Sequence, residues 1–184
     1  MFTGSVRKNL DPFNRYSDED LWRALAFVQM GDAVKAHHAE QSGGDGSPGS
    51  SPLEAAVEEG GENWSVGQRQ LICMARVLLK RPKVLCLDEA TASVDVHADA
   101  LLQTTIREEF ADCTILTIAH RLETIADSDR ILSFEDGNIA EFDHPWVLLE
   151  KKESLFHKLC HAGSEERASH LKTLASGAKA SRGL

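Results

Sequence analysis

Read as a pattern of apolar and polar positions, the chain alternates between helical and extended periodicity. Ser17 and Asp20 form a Ser-x-x-Asp start signal, and Leu21, Trp22, Leu25 and Val28 follow at helical spacing, so an amphipathic helix is expected to about Met30. Ser65 and Gln68 make a second capping pair, ahead of an apolar stripe through Leu71, Met74, Ala75 and Leu78. Lys80, Arg81 and Pro82 close that helix, because cations suit a helix C-terminus and proline cannot continue it. Residues 84–87 are a continuous apolar run, the pattern of a strand buried on both faces, and the run stops at Asp88 and Glu89. A helix with Leu101, Leu102 and Ile106 inward is expected over 96–110, then a strand over 113–118 that ends at His120.

Strand, helix and strand in that order read as a βαβ unit, whose right-handed crossover makes the strands parallel and brings Glu89 and His120 to one carboxyl edge. Farther on, two short apolar runs, 131–134 and 139–142, flank Glu-Asp-Gly-Asn, a hairpin signal in which Gly137 takes positive φ. Short helices over 145–161 are expected to pack back on the sheet, and the Ala, Ser, Gly and Lys mixture from Gly163 is expected to fray. QSGGDGSPGSSP, at 41–52, lacks the apolar side chains needed to offset ordering entropy and reads as a mobile surface insertion.

Composition narrows the class without choosing within it. The chain has 184 residues, 42% hydrophobic and 27% charged, which suits one soluble globular domain. A formal net charge of -9, with Lys and Arg scattered, argues against a nucleic-acid partner. Cys73, Cys86, Cys113 and Cys160 form no CxxC pair and read as small buried hydrophobes in a reducing compartment. No apolar run approaches the roughly 20 residues that span a bilayer, so membrane contact falls to another segment or chain.

Three places carry candidate chemistry, each with a plainer alternative. Asp88 and Glu89 either cap a turn, or act on a nucleotide, the first through the hydration shell of Mg²⁺ and the second on the attacking water. His120 is either a hydrogen-bonded structural histidine or a donor to a terminal phosphate oxygen. Ser65, Val66, Gly67 and Gln68 are either a simple N-cap or an anion site at a helix start. A helix from Ser65 to Lys80 is roughly 24 Å long, which would let its tip serve ATP held by another domain.

SVGQRQ at 65–70, VLCLDEATASVD at 84–95 and TIAHRL at 117–122 resemble the signature, the Walker B and D-loop, and the switch region of ABC-transporter nucleotide-binding domains. GSVRKNLDPF at 4–13 and EGGENWSVGQRQL at 59–71 further resemble the second such domain of the C subfamily, the multidrug-resistance-associated type. The resemblance covers about residues 1–160. It implies an α/β fold, an incomplete P-loop NTPase with a helical subdomain over about 1–81, the C-terminal half of a mainly parallel sheet core over about 82–162, and a tail over 163–184. It implies ATP and Mg²⁺ as cofactors, with Asp88 acting on the metal, Glu89 activating water, and His120 sensing the γ-phosphate. Ser65, Gly67 and Gln68 would contact ATP bound by the opposite nucleotide-binding domain, and Asp95 would reach across the domain pair.

The same resemblance implies an exporter working at the cytoplasmic face of a membrane, with coupling helices of transmembrane domains as the other partners. The family's two composite sites are unequal, and Glu89 fits the hydrolytic half, while SVGQ in place of the commoner SGGQ fits a site that holds ATP more than it turns it over. The sequence departs from the family where it has no GxxxxGK[ST], no preceding adenine-stacking aromatic loop and no Q-loop glutamine, so it reads as a fragment or truncated form. That departure keeps a second expectation open, a non-catalytic module that docks on a transporter. A chromosome-structure or DNA-repair ATPase is a weaker third, because the long heptad arms of that class have no counterpart here.

Overall fold

The capping boxes expected at Ser17 and Ser65 are both formed in the computed structural model, which describes residues 1–42, 51–89 and 96–182. Residues 43–50, most of the Gly/Ser/Pro segment, lie outside the described residues. Two units are distinct, Met1–Leu116 and Thr117–Leu184. Among the described residues there are three two-stranded sheets rather than one larger mainly parallel sheet, and two of the three pairs are antiparallel.

In the first unit, β1 (Gly4–Ser5) leads into α1 (Val6–Leu10), whose N-cap Ser5 accepts from the Lys8 amide. Next come α2 (Asp18–Phe27) and α3 (Gly31–Gln41), then β2 (Ala56–Val57), which pairs with β1. Helix α2 stops short of Met30 because Gln29 takes a left-handed φ of 52° and turns the chain into α3. Gln41 is part of that structure: its side chain accepts from the Ala56 amide and donates to the Ala56 carbonyl, so the insertion begins later than its composition suggested. Leu53, at the other end, is fully buried.

Helix α4 (Val66–Lys80) ends at Arg81, a left-handed C-cap with φ of 43°. Its inner face, Leu71, Ile72, Met74 and Ala75, joins Val6, Leu10, Leu21, Leu25 and Trp64 in one core. Arg76 on α4 ties this core to the first segment by donating from Nε to the Asn9 carbonyl at 2.7 Å. Strand β3 (Val84–Asp88), helix α5 (Val96–Glu109) and strand β4 (Thr114–Ile118) follow, with the Thr114 amide donating to the Lys83 carbonyl.

The expectation that 84–87 is buried on both faces is corrected. Leu85 is buried and Leu87 half-buried, but Val84 is 55% exposed and Cys86 is exposed, because no layer among the described residues covers the outer face. The cysteines are not uniformly buried either. Cys73 and Cys86 are exposed, Cys113 is half-buried and Cys160 alone is buried, all four being free thiols.

The second unit holds α6 (Leu122–Ile125), then β5 (Ile131–Glu135) and β6 (Asn138–Asp143) in the expected hairpin. Asp136 and Gly137 both take positive φ, 49° and 77°, as a two-residue turn matched to strand twist requires. Helices α7 (Pro145–Glu150) and α8 (Leu155–His161) follow, and the Glu141 carboxylate on β6 accepts from the Leu155 amide at 2.7 Å and the Phe156 amide at 3.2 Å, anchoring α8 to the hairpin. On the hairpin's other face Leu132, Phe134, Ile139 and Phe142 stay exposed.

The expectation that the tail frays is corrected over its described residues. The tail forms α9 (Glu165–Arg182), with Ala168 buried and with Leu171 and Ala175 in the second core beside Leu148, Phe156 and Cys160. Their spacing is helical, and the small alanines hide the stripe in a Ser/Gly/Lys-rich composition.

Candidate functional site

The segment before α4 is shaped by Trp64, which is 2% exposed and stacked by the His37 ring at a centroid distance of 3.9 Å. Burying that indole fixes the approach to Ser65. Ser65 then caps α4: its hydroxyl accepts from the Gln68 amide at 3.1 Å, and the Gln68 side chain accepts from the Ser65 amide at 2.9 Å. The cap reading is therefore realised. It leaves the Ser65 hydroxyl proton able to donate outward, since the cap uses only an oxygen lone pair. Ser65 and Val66 are exposed, Gln68 is half-buried and Gly67 is buried. The fifteen residues of α4 place about 22 Å of helix between this tip and the entry to β3.

Asp88 is the last residue of β3 and is exposed, and Glu89 follows it, also exposed, with φ of 47°. A left-handed backbone costs a non-glycine residue about 1 kcal/mol, and such positions concentrate where geometry matters to function. Two adjacent carboxylates at a strand end suit a hydrated divalent cation, which Mg²⁺ binds through one or two carboxylates and retained waters. No cluster of three or more His, Cys, Asp or Glu ligands occurs among the described residues, and such an Mg²⁺ site does not require one. Asp95 lies outside the described residues.

His120 belongs to the second unit, exposed just after β4 and one residue before Arg121, the N-cap position of α6. Helix α6 is a single turn, and its Glu123 is gripped from α9: Arg167 Nε donates to Oε1 at 2.7 Å and Nη2 to Oε2 at 3.2 Å. That hydrogen bond, above all, lowers the Glu123 carboxyl below its ordinary range and raises the Arg167 guanidinium above its own. Beneath the pair, burial pushes the Cys160 thiol up to about 11, so it stays protonated and unreactive at neutral pH. The structure thus gathers Ser65, Gly67 and Gln68 on one helical turn and Asp88 with Glu89 at one strand end. Sequence reading missed the His37 stack and the Arg167 grip, which join residues far apart in the chain.

No helix among the described residues is long and apolar enough to cross a membrane. The family model described as ABC transporter matches residues 3–92. The chain is 50% identical over 179 residues to ABC transporter C family member 3 of Dictyostelium discoideum, covering 97% of this chain and 12% of that protein. It is 52% identical over 159 residues to ATP-binding cassette sub-family C member 4 of Mus musculus, covering 86% of this chain and 11% of the relative. A pleiotropic ABC efflux transporter of multiple drugs from Candida glabrata is 48% identical over 172 residues, covering 90% and 10% respectively. The chain therefore spans about a tenth of the length of the curated relatives it matches. With about half of its positions shared with C-family members across most of its length, the chain belongs to the ABC transporter family and, within it, to the C family.

Proposed function

We propose that this chain is the C-terminal part of the second nucleotide-binding domain of a C-family exporter, in which ATP binding and hydrolysis are coupled to substrate movement across a membrane. The observation that carries the reading is Glu89, an exposed carboxylate held in a left-handed backbone directly after the strand-terminal Asp88.

In this reading Glu89 aligns the attacking water and takes its proton, and His120 donates to a γ-phosphate oxygen. Asp88 is the hard oxygen donor that would hold Mg²⁺ through water, and the ion would supply charge neutralisation on the phosphate oxygens. Ser65, Gly67 and Gln68 form the tip that meets ATP held by the opposite nucleotide-binding domain, the Ser65 hydroxyl donating while its oxygen still caps α4. Asp95 reaches across the same domain pair. The remaining partners are the coupling helices of transmembrane domains, so the chain works at the cytoplasmic face of a membrane.

The test is Glu89→Gln in a full-length C-family transporter carrying this segment in place of its own matching stretch. Turnover should fall by roughly 10² or more while ATP is retained, because the amide keeps the shape but not the basicity. Turnover within about twofold of the parent would remove Glu89 from catalysis. A second reading, a non-catalytic module docking on a transporter, is favoured by the exposed hairpin face at Phe134 and Ile139.

A further inference from the structure

Helix α6 has four residues, far below the length of about 12–15 at which an isolated helix becomes even marginally stable in water. No side chain caps its N-terminus. Something outside α6 must fix it, and with it the direction in which the chain leaves His120. Two restraints do so within this unit. Leu122 and Ile125 pack on the second core, with Ala126 fully buried behind them. Glu123, between those apolar contacts, takes both prongs of the Arg167 guanidinium.

The second restraint differs in kind from the first. Apolar packing tolerates rotation of one turn of helix, whereas a two-pronged guanidinium-carboxylate pair sets both distance and plane. Arg167 itself stands on a rigid base: it lies in the first turn of α9, its amide donates to the Ser164 hydroxyl, and Ala168, Leu171 and Ala175 below it are buried. Glu123 is three positions from His120. A change in how α9 docks is thus transmitted through one salt bridge to the segment bearing the histidine.

We infer that Arg167 is a positioning residue for His120, acting through Glu123, so that the docked α9 helix sets the orientation of the switch segment during nucleotide turnover. The inference rests on the ATPase reading given above. Its partner surface is internal to the second unit, and the residues that carry it are outside the signature, Walker B and switch motifs.

The experiment uses the same full-length transporter carrying this segment, with Arg167→Gln, Arg167→Lys, Glu123→Gln and the exchanged pair Arg167→Glu with Glu123→Arg. Arg167→Gln and Glu123→Gln should each lower kcat about three- to tenfold, the range for residues that bias a coupled segment, with KM for ATP within about twofold of the parent. Arg167→Lys restores the charge but not the fork and should recover only part of that loss. The exchanged pair should return kcat to within about twofold. If kcat is unchanged in the Gln variants, or if the exchanged pair is no better than either Gln variant, the inference is overturned. A rise in KM equal to the fall in kcat would overturn it as well, since it would point to general loss of the domain. Glu89→Gln, assayed in parallel, separates the two claims: if it leaves turnover intact, the ATPase reading itself fails. If it abolishes turnover while the Arg167 variants match the parent, only the positioning role fails.

Discussion

Glu141 offers a prediction whose size can be worked from its contacts. Its two carboxylate oxygens accept from the Leu155 and Phe156 amides at the start of α8, and the Ser133 hydroxyl donates to it from β5. Burial alone would push this carboxyl up, but the two amides and the hydroxyls of Ser154 and Ser133 outweigh it and leave the group below its usual value of 4.5. In Glu141→Gln one oxygen becomes an amide nitrogen, which leaves one helix-start N–H facing a donor. A hydrogen bond to a charged group is worth about 1.5–3 kcal/mol, and a negative charge at a helix start adds about 0.3–1 kcal/mol. Because the site is half-buried, the lower half of the combined range applies, about 1.8–2.9 kcal/mol.

The pH dependence follows from the same shift. A carboxyl whose pKa is lowered by folding contributes stability that is complete above the unfolded value, near 4.5, and that disappears as pH falls through the folded value. At pH 7, amide exchange at Leu155 and Phe156 in the 184-residue chain should therefore quicken about tenfold or more in Glu141→Gln. The gap between variant and parent should narrow steadily below about pH 4. Equal exchange at pH 7 would refute the anchoring role, and an undiminished gap at pH 3 would refute its electrostatic origin.

Two further outcomes are expected of the chain. Leu171→Ala, at a fully buried position of α9, should cost about 2–5 kcal/mol in urea unfolding, and a loss under 1 kcal/mol would mean that the tail is not docked. Titration calorimetry on the soluble monomer should find MgATP binding no tighter than about 1 mM, because Asp88 and Glu89 add negative charge beside a triphosphate and the sequence lacks the Lys and amide cradle of a P-loop. Micromolar binding would contradict that account.

What could be read from the sequence was local chemistry. Ser17 with Asp20 and Ser65 with Gln68 are signals contained in one helical turn, and Gly137 marks its hairpin by its own backbone freedom, so each element was legible where it begins. Candidate residues were legible for a related reason: the order of the segments around Ser65, Asp88 and His120 is itself the signal. Burial was not legible, because whether Val84 and Cys86 are covered depends on layers that are not written in their own strand. Helix α3, with Val34 its only buried residue, carries no stripe to recognise, and α9 hides its stripe in alanines. The grip of Arg167 on Glu123 spans 44 positions and has no periodicity to announce it.

The left-handed backbone at Glu89 sets stability against the proposed chemistry. Asn or Gly at that position would relieve about 1 kcal/mol of backbone strain, a sizeable share of the 5–15 kcal/mol that holds a domain together, and either would remove the carboxylate. Under the proposed role, the carboxylate is held at the expense of backbone comfort, so Glu89→Gly is expected to gain about 1 kcal/mol of stability while removing the candidate base.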